Sequence, residues 1–264
     1  MVIEQKDLWE NTPGICEEIP TITSYIPENK RTDAAVVIFP GGGYAMRADY
    51  EGADYAKFLA ENGICAFVVD YRVAPHRFPL PLLDARRAVR TVRYYAKEYG
   101  IDKNKIAVMG SSAGGHLAAL TSTYYDKIEF EDMDDIDKEN CVPNAQILCY
   151  PVIDLLGEYV HKGSAENLLG EYDDETAKEL SPRFIARKGT PPAFIWHTLD
   201  DGCVNVNNTL NYVKKLKGIG TDVECHIFAH GAHGLGLALG NDKISKNVTQ
   251  WCTLLLNWLG SIEF

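Results

Sequence analysis

Ile106-Ala107-Val108-Met109 runs directly into Gly110-Ser111-Ser112-Ala113-Gly114, and residues 113–124 continue rich in Ala and Leu. A short unbroken apolar run reads as a strand buried on both faces, and the Ala/Leu stretch behind it as a helix. The five residues between them fit G-x-S-x-G. A serine presented on a tight strand-to-helix turn needs small residues on both flanks, because such a turn is strained and close-packed. Gly110 and Gly114 supply them, which makes Ser112 the candidate nucleophile. Ser111 occupies a variable position and is expected to face away. The helix start sets the backbone N–H of Ala113 towards any developing oxyanion.

The same alternation extends in both directions. Residues 34–39, 65–71, 145–150, 193–197 and 223–228 are further short, largely apolar runs. Helical spacing separates them: residues 55–62; Leu82, Ala85, Val89, Val92 and Ala96 up to Gly100; Leu210, Val213 and Leu216; and Ile244, Val248, Trp251, Leu255 and Trp258. Strand and helix in turn imply an α/β fold, a mostly parallel sheet flanked by helices. The chain has 264 residues, within the range of one large α/β domain, so residues 1–264 read as a single domain. Two stretches interrupt the rhythm. Residues 126–144, with the acidic run 131–137, read as surface. Residues 154–192 read as a small inserted lid, since long insertions in compact folds often cover a site.

Hydrophobic residues make up 46% and charged residues 24%, which excludes a disordered chain or a coiled coil. The net charge of −11 disfavours nucleic acid and anionic lipid as partners. No apolar run reaches the ~20 residues of a membrane span. Met1-Val2-Ile3-Glu4-Gln5-Lys6-Asp7 lacks the apolar core of a secretory signal, so a cytoplasmic location is expected. The seven cysteines are odd in number, widely spaced and without CxxC, and read as reduced thiols.

A serine hydroxyl needs a base held in the right tautomer by a carboxylate. In a fold of this kind the chain order is serine, acid, histidine. Asp200 and Asp201, just past the 193–197 run, are the acid candidates. His233 lies between Gly231 and Gly234 in a loop able to swing towards Ser112. His230 is the rival base, and His226 reads as structural. A metal site built from His226, His230 and His233 lacks a matching HExxH or carboxylate pattern. His116, on the helix behind Ser112, reads as a packing or hydrogen-bonding residue. Pro40-Gly41-Gly42-Gly43-Tyr44 follows the first apolar run. Its glycines let backbone N–H groups approach a ligand, and it lacks the continuation of a phosphate-binding loop. Paired with G-x-S-x-G, it assigns Gly42, Gly43 and Ala113 as oxyanion donors. Tyr44 is expected either to line the substrate pocket or to pack in the core.

With these residues in place the chain resembles the α/β-hydrolase superfamily over about residues 30–260. More closely it is similar to the bacterial esterase branch related to hormone-sensitive lipase, in its acetylxylan and feruloyl esterase-like, sugar-ester group. The marks are the glycine loop, Asp70-Tyr71-Arg72-Val73-Ala74-Pro75, Gly110 to His116, His161-Lys162-Gly163-Ser164, Asn167-Leu168-Leu169-Gly170, Ser181-Pro182 and Thr190-Pro191-Pro192. His197 to Val204 matches H-x-x-x-D-x-x-V, which favours Asp201 over Asp200. Gly231-Ala232-His233-Gly234 matches G-x-H-G, which favours His233. Two positions depart from the lipase relatives, Pro40 for a common His and Thr198 for a common Gly. The resemblance implies a serine carboxylesterase without cofactor or metal, acting on short-acyl esters, acetylated sugars foremost. A general small-acyl esterase or a formamidase is the alternative on the same residues. The alcohol, the acyl length and association into a homo-oligomer stay open.

Overall fold

A computed structural model describes residues 1–14, 18–125 and 134–264. Cys16 and residues 131–133 of the acidic run lie outside them. Eight strands form one sheet: β1 (Val2–Asp7), β2 (Thr21–Ile26), β3 (Ala35–Phe39), β4 (Cys65–Asp70), β5 (Ile106–Ser111), β6 (Ala145–Cys149), β7 (Ala193–Thr198) and β8 (Val223–Phe228). Their order is β1-β2-β4-β3-β5-β6-β7-β8. All pairs from β4 to β8 are parallel, and β1 and β2 add an antiparallel edge. The six expected runs are thus six of the eight strands. β1 and β2 were not among them. The side chains of β1 are exposed throughout, so it carries no burial signal, whereas β2 has the alternating face of a half-buried strand.

Ten helices among the described residues flank the sheet: α1 (Ala53–Glu61), α2 (Leu80–Tyr94), α3 (Ala96–Tyr99), α4 (Ser112–Thr123), α5 (Lys162–Leu169), α6 (Asp174–Glu179), α7 (Pro182–Ile185), α8 (Asn207–Gly218), α9 (Lys243–Val248) and α10 (Gln250–Ser261). The helical run expected from Ile244 to Trp258 is therefore two helices meeting at Thr249. Two apolar clusters lie on opposite faces of the sheet. One includes Val37, Val108, Val89 and Leu117, and the other Ile38, Met109, Trp196 and Trp251. Strands covered on both faces are largely apolar, which is why β3, β5 and β6 are legible as continuous runs.

A buried ion pair fastens the end of β4 to α2. Arg72, just past β4, meets Asp84 of α2 through Nε at 2.8 Å and Nη2 at 2.7 Å, and Trp9 Nε1 donates to the same carboxylate at 2.9 Å. The end of the acidic run is also tied to α2: Asp134 and Asp137 pair with Arg87 at 2.6 and 3.0 Å. No described helix is long and apolar enough to cross a membrane. The six described cysteines are all free thiols.

Candidate active site

Ser112 sits at the junction of β5 and α4 with φ +53°, a left-handed backbone that a side-chain-bearing residue adopts only when its surroundings impose it. The surroundings are visible atom by atom. A Cβ on Gly110 would overlap the Gly114 carbonyl, and one on Gly114 would overlap the Phe39 carbonyl. Only glycines allow α4 to start this close to β3 and β5. The Ser112 carbonyl accepts the Val152 N–H at 3.0 Å, which anchors the turn to the end of β6. Ser111 does face away, buried, with its hydroxyl 3.0 Å from that of Tyr55.

The structure brings Ser112, His233 and Asp201 together. His233 Nε2 lies 2.8 Å from Ser112 Oγ, and its Nδ1 lies 2.7 Å from Asp201 Oδ2. Asp201 follows β7, and its other oxygen accepts the N–H groups of Cys203 and Val204, both at 2.9 Å. His197 Nε2 stands 3.2 Å from Oδ2. Burial of this carboxyl alone would raise its pKa. The hydrogen bonds from His197 and His233, with the charge of His233, outweigh it and hold Asp201 well below the usual carboxylate range. An ionised Asp201 accepts from Nδ1–H, which leaves Nε2 free to accept from the serine. His197 was legible only as the head of its motif. It is wholly buried, with Nδ1 2.9 Å from Thr209 Oγ1 and Nε2 3.0 Å from the Val204 carbonyl, and so braces the Asp201 turn.

The rival histidines take other partners. His230 is 72% exposed and pairs with Asp200 at 2.9 Å. His226 pairs with Glu224 at 2.9 Å. The three histidines thus diverge onto three different carboxylates.

Beside Ser112 the glycine loop turns with φ +129° at Gly42 and +65° at Gly43. A Cβ on Gly42 would overlap the Met46 carbonyl, whereas one on Gly43 would meet open space. The N–H groups of Gly42 and Gly43 take no partner among the described residues. Ala113 is the second residue of α4, so its N–H has no intrahelical acceptor. The three expected donors therefore stand unengaged among the described residues, and Gly41 of the same loop lies against Ser112.

The pocket reading of Tyr44 is corrected. Its side chain is wholly buried, and its hydroxyl lies 2.7 Å from His116 Nδ1. His116 Nε2 reaches the Leu180 carbonyl at 2.8 Å. A carbonyl only accepts, so Nε2 carries the proton and Nδ1 accepts from Tyr44. Burial pushes His116 down to about 4, which keeps it neutral. This relay joins the glycine loop to the 154–192 segment, which holds α5, α6 and α7. Asn167 of α5 adds a second tie, donating to the Gly43 carbonyl at 2.9 Å. Tyr71 supports the loop from below, donating to the Pro40 carbonyl at 2.6 Å.

A parallel-cored sheet with a strained serine turn between strand and helix, an acid after the seventh strand and a histidine after the eighth defines an α/β hydrolase. Residues 23–216 match the BD-FAE family, and the chain belongs to that family of esterases. A crystal structure of an acetyl ester-xyloside bifunctional hydrolase from Caldicellulosiruptor lactoaceticus superposes with a TM-score of 0.91 at 42% identity, covering 98% of this chain and 96% of that one. An acetylxylan esterase of Xylanibacter ruminicola is 32% identical over 86% of this chain and 46% of that protein. Endo-1,4-beta-xylanase B of Butyrivibrio fibrisolvens is 33% identical over 85% of this chain and 36% of that protein. The chain thus spans less than half the length of these two curated relatives.

Proposed function

We propose that the protein is a serine carboxylesterase that removes short acyl groups, acetyl foremost, from sugars or oligosaccharides. Ser112 Oγ attacks the ester carbonyl as its proton passes to His233 Nε2. Asp201 holds the imidazole by Nδ1 and stabilises the imidazolium. The oxyanion is met by the N–H groups of Gly42, Gly43 and Ala113. His233 then gives the proton to the departing alcohol oxygen, and a water, deprotonated by His233, hydrolyses the acyl-serine. Balanced this way, the reaction needs no cofactor. The observation that carries the reading is the continuous line of hydrogen bonds, 2.8 Å from Ser112 to His233 and 2.7 Å from His233 to Asp201. The sugar-ester preference is supported by the acetylxylan esterase and acetyl ester-xyloside hydrolase relatives. We read residues 154–192 as a cover fixed to the glycine loop through Asn167 and His116, and hence as the element that shapes specificity.

The test is acetate release from acetylated xylo-oligosaccharides, beside hydrolysis of 4-nitrophenyl acetate and butyrate, by wild type and Ser112→Ala. A fluorophosphonate adduct at Ser112, found by mass spectrometry, accompanies it. Acetate release by the wild type alone is expected. Reaction with aryl esters only would leave the serine chemistry standing and remove the sugar-ester assignment. A folded wild type that takes no adduct at Ser112 would remove the enzyme reading.

A further inference from the structure

Beneath the site lies a carboxylate that the hydrolytic steps above do not use. Glu51 is 3% exposed. Its Oε2 accepts the N–H of Gly41, the first glycine of the loop, at 2.8 Å, and its Oε1 accepts from the Tyr150 hydroxyl at 2.6 Å. The second length lies at the short end of the O–H···O range, where bonds to a charged acceptor fall. The carboxylate is also close to the serine turn. A Cβ added to Gly41 would collide with Glu51 and would sit 2.7 Å from the Ser111 carbonyl and 3.2 Å from Ser112 Cβ.

Tyr150 extends this contact to the histidine. It follows β6 with φ +37°, a strained backbone held by its N–H bond to the Trp196 carbonyl at 2.7 Å. Its ring stands edge-on to the His233 imidazole, with centroids 5.0 Å apart. Its hydroxyl accepts the Gly236 N–H at 3.1 Å, three residues beyond His233. A buried carboxylate whose hydrogen bonds all come from neutral groups is costly to keep. Here the bonds from Gly41 and Tyr150 lead to parts of the reactive site.

Resting on the esterase reading above, we propose that Glu51 is a positioning residue: its hydrogen bonds hold the Gly41 loop and Tyr150 in register with Ser112, and its buried negative charge favours the imidazolium form of His233 during acyl transfer. The groups facing Glu51 are Gly41 from the loop after β3, Tyr50 from its own turn, Tyr55 from α1, Tyr71 from just past β4, Cys149 and Tyr150 from the end of β6, and His233. The imidazole in turn faces Ser112, Asp201 and, from the 154–192 segment, His161. Burial raises the Glu51 carboxyl above the usual carboxylate range, and the hydrogen bonds of Tyr150 and Gly41 with the charge of His233 offset only part of that rise. Burial pushes Tyr150 far above the usual phenol range, so it stays a neutral donor.

Glu51→Gln separates charge from shape. The amide oxygen still accepts from Gly41, and the amide N–H₂ donates to the Tyr150 hydroxyl, which turns its proton towards Tyr55, 3.2 Å away. The experiment measures kcat and kcat/KM for 4-nitrophenyl acetate from pH 5 to 9, with fluorophosphonate labelling of Ser112 and circular dichroism in parallel. Removing a negative charge beside the catalytic imidazole is expected to move the acid limb of kcat/KM to lower pH. With it, kcat should fall roughly tenfold while KM stays within about twofold. A support of shape alone would lower activity without moving the limb, so an unmoved limb in a folded, labelled Glu51→Gln protein would overturn the charge role. If that variant does not fold, Tyr150→Phe keeps the ring against His233 and removes the hydroxyl. A kcat loss of about fivefold is expected there, and an unchanged kcat overturns the positioning role. Absence of the Ser112 adduct in wild type would instead defeat the esterase reading itself.

Discussion

Acid should loosen this protein through His116 before it reaches most of the carboxylates. The imidazole is wholly buried between Tyr44 and the Leu180 carbonyl, and burial pushes it from 6.5 down to about 4. The folded state thus refuses a proton that the unfolded chain accepts below pH 6.5. Stability from this group is complete above that pH and is lost as pH falls towards 4. Linkage between those two values gives a loss of about 2 kcal/mol at pH 5 relative to pH 8, and about 3 kcal/mol below pH 4. The perturbation is His116→Gln, which offers an N–H donor and a carbonyl acceptor but cannot titrate. The assay is urea unfolding of both proteins at pH 8, 6.5, 5.5 and 5. The variant should be less stable at pH 8, because two buried hydrogen bonds must be remade. Between pH 8 and 5, however, wild type should lose about 2 kcal/mol more than the variant, since every carboxylate is shared by both. Equal losses in the two proteins would refute the reasoning, and with it the neutral, fixed tautomer of His116.

Asp201→Asn should keep the fold and lower kcat for 4-nitrophenyl acetate by ~10³–10⁴, because an amide no longer fixes the Nδ1–H tautomer of His233 or stabilises its charge; stopped assays at saturating substrate check it. Asn167→Ala removes one hydrogen bond on the Gly43 carbonyl. It should cost about 1 kcal/mol in urea unfolding and several-fold in kcat, with acetate release from acetylated xylo-oligosaccharide as the readout.

Particular residues mark how far the chain could be read unaided. β5, the glycine pair at 110 and 114 and the start of α4 were legible because a sheet covered on both faces leaves largely apolar runs, and a close strand-helix approach admits only glycine. Ser112, Asp201 and His233 were legible because each stands in a short pattern at the end of an element, where loop chemistry is local. β1 escaped because its side chains face solvent, and its existence depends on the backbone of β2. Tyr44 could be weighed but not resolved, since pocket wall and core ask for the same aromatic residue.

Local pattern records which side of an element meets the core. That was sufficient for the layering of sheet and helices and for the order serine, acid, histidine. Chemistry between distant positions leaves no such record. Glu51 meets Tyr150 across 99 residues, and Asn167 meets Gly43 across 124. These partners are chosen by how the loops after β3 and β6 and the 154–192 segment close over one another. A glutamate before a glycine reads the same in any surface turn. Only the packing around residue 51 removes it from water and sets it against Gly41 and Tyr150.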